Sequence, residues 1–213
     1  YSNALVWIEW FPMMGSPYPC RVRAFDASAD AMYFQVVNDW GPSWNTRFFV
    51  EDMPQYLDVT NEFWFDKTGN GGRLYVRLSG DREPNGLQIE AARHMNHINS
   101  PSISYFDVNG LTFRFNNAFW DLTAQQSLPA QDVDNAAVRV TGGGTDISVR
   151  NCVFEHVPEA VRVVSDRVYN VLSGVSITDN AIAETDHGAM TIEEYGGTPP
   201  YGAVRDLKVL RNR

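Results

Sequence analysis

The sequence predicts an all-β fold, with an antiparallel β-module ahead of several coils of a parallel β-helix. Two observations carry this. Four segments align without gaps over their central positions: Phe106–Phe113, Ile147–Phe154, Val175–Ile182 and Leu207–Asn212. Two of their columns are apolar throughout, Phe106/Ile147/Val175/Leu207 and Val108/Val149/Ile177/Val209. A shorter apolar-polar-apolar stretch precedes each one, at Leu87–Ile89, Val138–Val140, Val161–Val163 and Met190–Ile192, the two-residue period of a half-buried strand. The steps between equivalent positions are 41, 28 and 32 residues. Constant strand cores separated by insertions of varying length are the signature of stacked coils.

Residues 1–86 follow a different grammar. Strands are expected at Ala4–Trp10, Cys20–Phe25, Met32–Val37, Arg47–Val50, Glu62–Phe65 and Arg73–Leu78, all rich in aromatic and β-branched residues. Clusters of Gly, Pro, Asn and Asp separate them. Asp66–Gly72 has the composition of a hairpin loop. Asp52–Leu57 is the one stretch that suggests a short helical turn. The region reads as a sandwich-like antiparallel module, packed on or inserted into the solenoid. Asp81–Gly86 marks the boundary, and 87–213 form the coils.

Composition narrows the function. The 213 residues are 44% hydrophobic and 13% aromatic, which supports a sizeable core. The net charge of −9 disfavours nucleic acid and anionic membrane surfaces as partners. No apolar run approaches the roughly 20 residues of a membrane span. Two cysteines, Cys20 and Cys152, are too few for a disulfide framework. Cys152 shares a column with Leu111, Asn180 and Asn212, and reads as a small filler rather than a nucleophile. The chain opens at Tyr1 without an initiator Met and ends at Arg213 within a repeat. It therefore reads as a segment of a longer protein, with targeting and capping sequences outside it.

Glu62–Asp66, Gly72–Leu78, Asp81 with Pro84-Asn85, and Val108–Phe113 together form a recurring pattern. It resembles the right-handed parallel β-helix carbohydrate-active proteins of the pectin-lyase-like superfamily. Within these, it is most similar to the β-xylosidase-type and fucosidase-type glycosidases that carry a β-sandwich between early coils. Asn151–Phe154 and Asp179–Ile182 match the coil motif, and the resemblance covers about residues 45–213. It implies a secreted or cell-surface protein, an acidic site in a groove along the helix, and a polysaccharide or oligosaccharide ligand. The same superfold hosts hydrolases, lyases, esterases and adhesins, so activity must be argued from the site.

Stacked coils lie about 4.8 Å apart, so residues of one column form a ladder. Counting from Phe154 and Ile182 places His156 near Glu184. Counting from Val163 and Ile192 places Asp166 beside Tyr195 and close to Glu194. Glycoside hydrolysis needs two carboxylates, one as proton donor and one as nucleophile or base. The expected catalytic residues are Asp186 and Glu194 with His187, supported by His156, Asp166 or Glu193. The alternative is that these are solvated turn residues.

Arg139 and Arg162 are outward residues of aligned strands, expected between Gln88 and Thr191. Like charges side by side are unfavourable unless acids offset them. Either ion pairs to Glu159 or Asp166 do so, or the two guanidinium groups bind a uronate. The latter would favour a polysaccharide lyase over a hydrolase, and a non-catalytic glycan-binding or structural surface protein is the third reading.

Trp120, Trp40 and Trp44 lie in loop-like stretches and either stack on sugar rings or bury loops. The 114–135 insertion is long enough to wall a groove. Gly142–Gly144 precedes a strand and reads as a tight turn, not a phosphate loop. His94 and His97 have metal-like spacing but no third ligand nearby, so no metal site or cofactor is assigned, with a structural or catalytic calcium left open.

Overall fold

In the computed structural model, residues 3–8, 18–34, 47–68, 71–118, 135–165, 170–194 and 202–213 are described, except the side chains of Tyr18 and His187. The chain is all-β: among the described residues there is no α-helix, only two 3-10 turns at Pro54–Tyr56 and Ser79–Asp81. The described residues form two compact units, one up to Glu90 and one from Ala91 onward.

The first unit is antiparallel. Strands β1 (Leu5–Ile8), β2 (Tyr18–Asp26), β3 (Ala31–Phe34) and β4 (Phe48–Glu51) form a sheet in the order β3-β2-β1-β4. β5 (Phe63–Asp66) and β6 (Arg73–Val76) pair as the hairpin expected around Asp66–Gly72. Alternation sets the inner face of the larger sheet. Val6 and Ile8 on β1 and Cys20 and Val22 on β2 point inward and are buried, with Met32, Phe34 and Val50 packed against them. The suggested turn at Asp52–Leu57 is the first 3-10 turn, with Pro54 at its start, where a missing N–H costs nothing.

The second unit is built of two parallel sheets of stacked strands, a β-helix-like solenoid. β7 (Ile98–Ser100), β10 (Val138–Thr141), β12 (Val153–Ser165) and β14 (Ala181–Glu194) stack in the order β14-β12-β10-β7, and β9 (Thr112–Arg114) pairs with the first part of β12. β8 (Phe106–Asn109), β11 (Gly144–Arg150), β13 (Val171–Thr178) and β15 (Ala203–Arg205) form the other sheet, with β16 (Lys208–Leu210) on β13. The aligned columns are the register itself. Ile147 pairs with Phe106 and Val175, and Val149 pairs with Val108 and Ile177. These side chains meet Val138, Val140, Phe154, Val161 and Val163 of the facing sheet in one core. Each fully buried Val or Ile is worth about 2 kcal/mol of removed apolar surface.

One expected strand lies elsewhere. Leu87–Ile89 is not a strand, and Leu87 and Ile89 are 45% and 49% exposed. Its place is taken by β7, which sets Asn99, not Gln88, opposite Arg139. A three-residue alternation is too short to distinguish a strand from an extended loop, and hydrogen-bond register decided between the two.

Each coil turns corners through residues with positive φ, arranged in columns. One column is Tyr105, Asp146, Gly174 and Asp206, and a second is Gly110, Asn151, Asp179 and Arg211. A third is Phe115, His156 and Glu184. Asn, Asp and Gly tolerate this left-handed region, which explains most members of the first two columns. At Gly174 the space is also tight, since a Cβ there would stand 3.1 Å from Asp146 Oδ1.

Just after the second column, side-chain amides tie coil to coil. Asn180 Oδ1 accepts the Cys152 N–H at 2.9 Å, and its Nδ2 donates to the Val149 carbonyl at 3.1 Å. Asn212 repeats this one coil on, accepting from Asn180 N–H at 3.1 Å and donating to the Ile177 carbonyl at 2.9 Å. Cys152 occupies the same column as a buried free thiol, with Sγ near the Val108 and Arg150 carbonyls. It fills the turn, as its column suggests.

Asn180→Ala should therefore leave buried donors and acceptors unpaired and cost about 2 kcal/mol. Urea denaturation measures the loss, and hydrogen exchange at the Cys152 amide should accelerate. An unchanged exchange rate would mean that the ladder does not hold the turn.

Candidate functional site

Two clusters of charged side chains lie on the sheet that contains β12 and β14. The first is at the third corner column. Phe113, Phe154 and Ile182 point into the core, so the next residues, Arg114, Glu155 and Ala183, point outward, and Arg114 forms an ion pair with Glu155. The chain then bends at Phe115, His156 and Glu184. The Phe115 and His156 rings stack with centroids 5.3 Å apart and planes 4° from parallel. His156 Nδ1 lies 2.6 Å from Glu184 Oε2. The expectation from counting, His156 beside Glu184, is what the coils produce.

Beyond this corner β14 carries one residue more than β12. Val157 pairs with Thr185, but Glu159 pairs with Gly188, so Asp186 and His187 together oppose Pro158. Proline cannot donate to the ladder, and a bulge at that point lets the partner strand continue. Asp186 is exposed at this bulge. Burial of its neighbourhood pushes its carboxyl above the ordinary value, while nearby His156 pulls it down. Asp186, His156 and Glu184 are thus brought together, and the backbone of His187 shares the bulge.

The second cluster is on the flat part of the same sheet. Arg139, Arg162 and Thr191 stand in one register row. Arg162 is buried, and its two terminal nitrogens face different acids. Nη2 donates to Glu193 Oε2 at 3.0 Å, and Nη1 lies 3.6 Å from Glu159 Oε2. Arg139 donates to Asn99 Oδ1 at 2.9 Å. Local acids thus stand beside Arg162, while the bond shown for Arg139 is to a neutral amide.

Glu159 is the group that sequence reading passed over as a site residue. It is fully buried, and neither carboxylate oxygen has a hydrogen bond within normal distance. Desolvation raises its carboxyl to about 7, against the pull of Thr191 and Arg162. Its strand neighbours explain how it fits. Val138 pairs with Val161, so Ala136 stands on one side of Glu159 and Gly188 on the other. The available signal was an acid in a column of small residues.

Asp186 and Glu194 are not a pair. Gly188 to Glu194 run in register with Glu159 to Ser165, so six residues of extended strand, about 20 Å, separate the bulge from Glu194, whereas paired glycosidase carboxylates are about 5–10 Å apart. Glu194 pairs in register with Ser165, and its Oε1 accepts the Val204 N–H at 3.0 Å, tying β14 to β15. Trp120, Trp40, Trp44 and Asp166 lie outside the described residues. His97 packs its ring against Phe113, and no group of three or more metal-ligating side chains is assembled among the described residues. Compared with protein-family models, curated proteins and solved structures, the chain matches none.

The Glu159 environment gives a signed pH dependence. Its folded value lies above that of the unfolded chain, so the native state holds the extra proton between about pH 4.5 and 7. The stability linked to this proton is complete below about 4.5 and is lost as pH rises through about 7. The full effect is about 3 kcal/mol. Urea midpoints at pH 5 and pH 8 should differ more for the parent than for Glu159→Gln. Equal differences would mean that Glu159 ionises without penalty.

Proposed function

We propose that this chain belongs to a polysaccharide-processing glycoside hydrolase, with its chemistry at the corner formed by His156, Glu184 and Asp186. The observation that carries this is the exposed bulge, where a carboxyl held above its ordinary value stands beside a histidine whose Nδ1 touches a second carboxylate. A raised carboxyl is suited to protonate a departing glycosidic oxygen, and a second carboxyl group is needed as base or nucleophile. Asp186 takes the first role and Glu184 the second. They are two residues apart in the chain, at the bend and at the bulge that follows it, and His156 lies close to both. His156 orients Glu184. The stacked Phe115 ring is 59% exposed and offers an apolar face to a sugar ring.

The wider reading, a secreted right-handed β-helix of the pectin-lyase-like kind, rests on the sequence motifs. Within it the lyase alternative is the weaker one, because Arg162 already faces Glu159 and Glu193 and has little charge left for a uronate.

The test is product analysis by mass spectrometry after incubating the full-length protein with neutral and uronic polysaccharides. Hydrolysis adds one water per cleavage. Asp186→Asn and Glu184→Gln should each reduce turnover by about 100-fold or more, while Glu194→Gln should leave it within a few-fold. Unsaturated products would make the protein a lyase. No cleavage across the panel would leave a non-catalytic glycan-binding or structural role.

A further inference from the structure

A cavity lies wholly within the first unit. Its volume is about 600 Å³, in the range of small-molecule sites. It is walled by β4, the 3-10 turn and β5. Alternation directs Phe63 and Phe65 to one face of β5, and both remain exposed, at 72% and 47%. Phe49 on β4 completes the aromatic wall and is held flat against Trp7, with centroids 5.9 Å apart.

The polar part of the lining is of one sign. Glu51, Asp52 and Glu62 line the cavity, and among the described residues the lining contains no Lys or Arg. Each acid is held in place rather than loose. Glu51 Oε1 accepts the Trp7 indole N–H at 2.6 Å, Asp52 pairs with Arg21 at 2.6 Å, and Glu62 Oε2 accepts the Asp58 and Val59 N–H groups at 2.8 and 2.7 Å. Arg21 offsets Asp52, so among the described lining residues Glu51 and Glu62 face no countercharge. In each, the hydrogen bonds engage one oxygen and leave the other as an acceptor.

Ring faces carry negative potential, as do the carboxylates, and together they select a positively charged apolar group. We propose that this cavity is a binding site for an organic cation of the quaternary ammonium class. Phe49, Phe63 and Phe65 contact its methyl groups, and Glu51 and Glu62 supply the countercharge. A neutral sugar would use the rings and leave the charge of the lining unanswered. The proposal is independent of the hydrolase reading.

The test uses choline and its uncharged isostere 3,3-dimethylbutan-1-ol, titrated into the full chain. Trp64, which also lines the cavity, gives a fluorescence signal, and saturation-transfer NMR gives a second readout. Choline should bind, and the isostere at least tenfold more weakly. Glu51→Gln retains an acceptor for the Trp7 indole and should weaken choline at least threefold, with the near-ultraviolet circular dichroism unchanged. Phe63→Ala alters a surface ring and should weaken both ligands. Equal binding of choline and isostere would reduce the cavity to an apolar cleft and overturn the proposal. So would no choline binding at 10 mM, or saturable binding of a neutral oligosaccharide with no choline competition.

Discussion

Everything in the second unit depends on one constraint: each strand hydrogen-bonds to its counterpart one coil away, in parallel and in register. A residue's neighbours above and below are therefore set by counting from the turn, not by proximity in the chain. Apolar columns such as Val108/Val149/Ile177 become continuous core, and the left-handed corners fall in columns because every coil must bend at the same level. The buried Asn180 and half-buried Asn212 amides serve the same constraint. They satisfy backbone groups that a turn would otherwise leave unpaired inside the solenoid.

The same stacking separates two kinds of charged cluster. Arg162 and Glu159 are enclosed, Glu193 is exposed, and one arginine faces two acids. Its electrostatics are dominated by desolvation, which makes it a structural element with a strong pH signature. His156, Glu184 and Asp186 are exposed at a corner where the backbone is already constrained. The other corner columns mostly use Asn, Asp or Gly, whereas this one uses Phe, His and Glu, of which Phe and Glu have no preference for a left-handed turn. That choice of residues is the feature of the corner that stacking alone does not account for.

Much of this was legible without coordinates. The two-residue period, the repeated apolar columns and the contrast between the aromatic front half and the coils lead to an all-β fold with parallel stacking. Column counting also placed His156 beside Glu184 and Arg139 beside Arg162. It failed at Leu87–Ile89, where three alternating residues carry too little information against the long connection that follows. It failed again for Asp186 and Glu194, because proximity in sequence along one extended strand is distance in space.

By itself, then, the sequence determined which residues repeat, because periodicity records which face of a strand meets the core. Tertiary structure alone decided the register offset at Pro158, the enclosure of Glu159 between Ala136 and Gly188, and the engagement of Arg162 by two acids. It also decided that Glu194 ties two strands together. The reason is physical. Burial and charge pairing are properties of neighbours on other coils, and a bulge of one residue changes which neighbours those are.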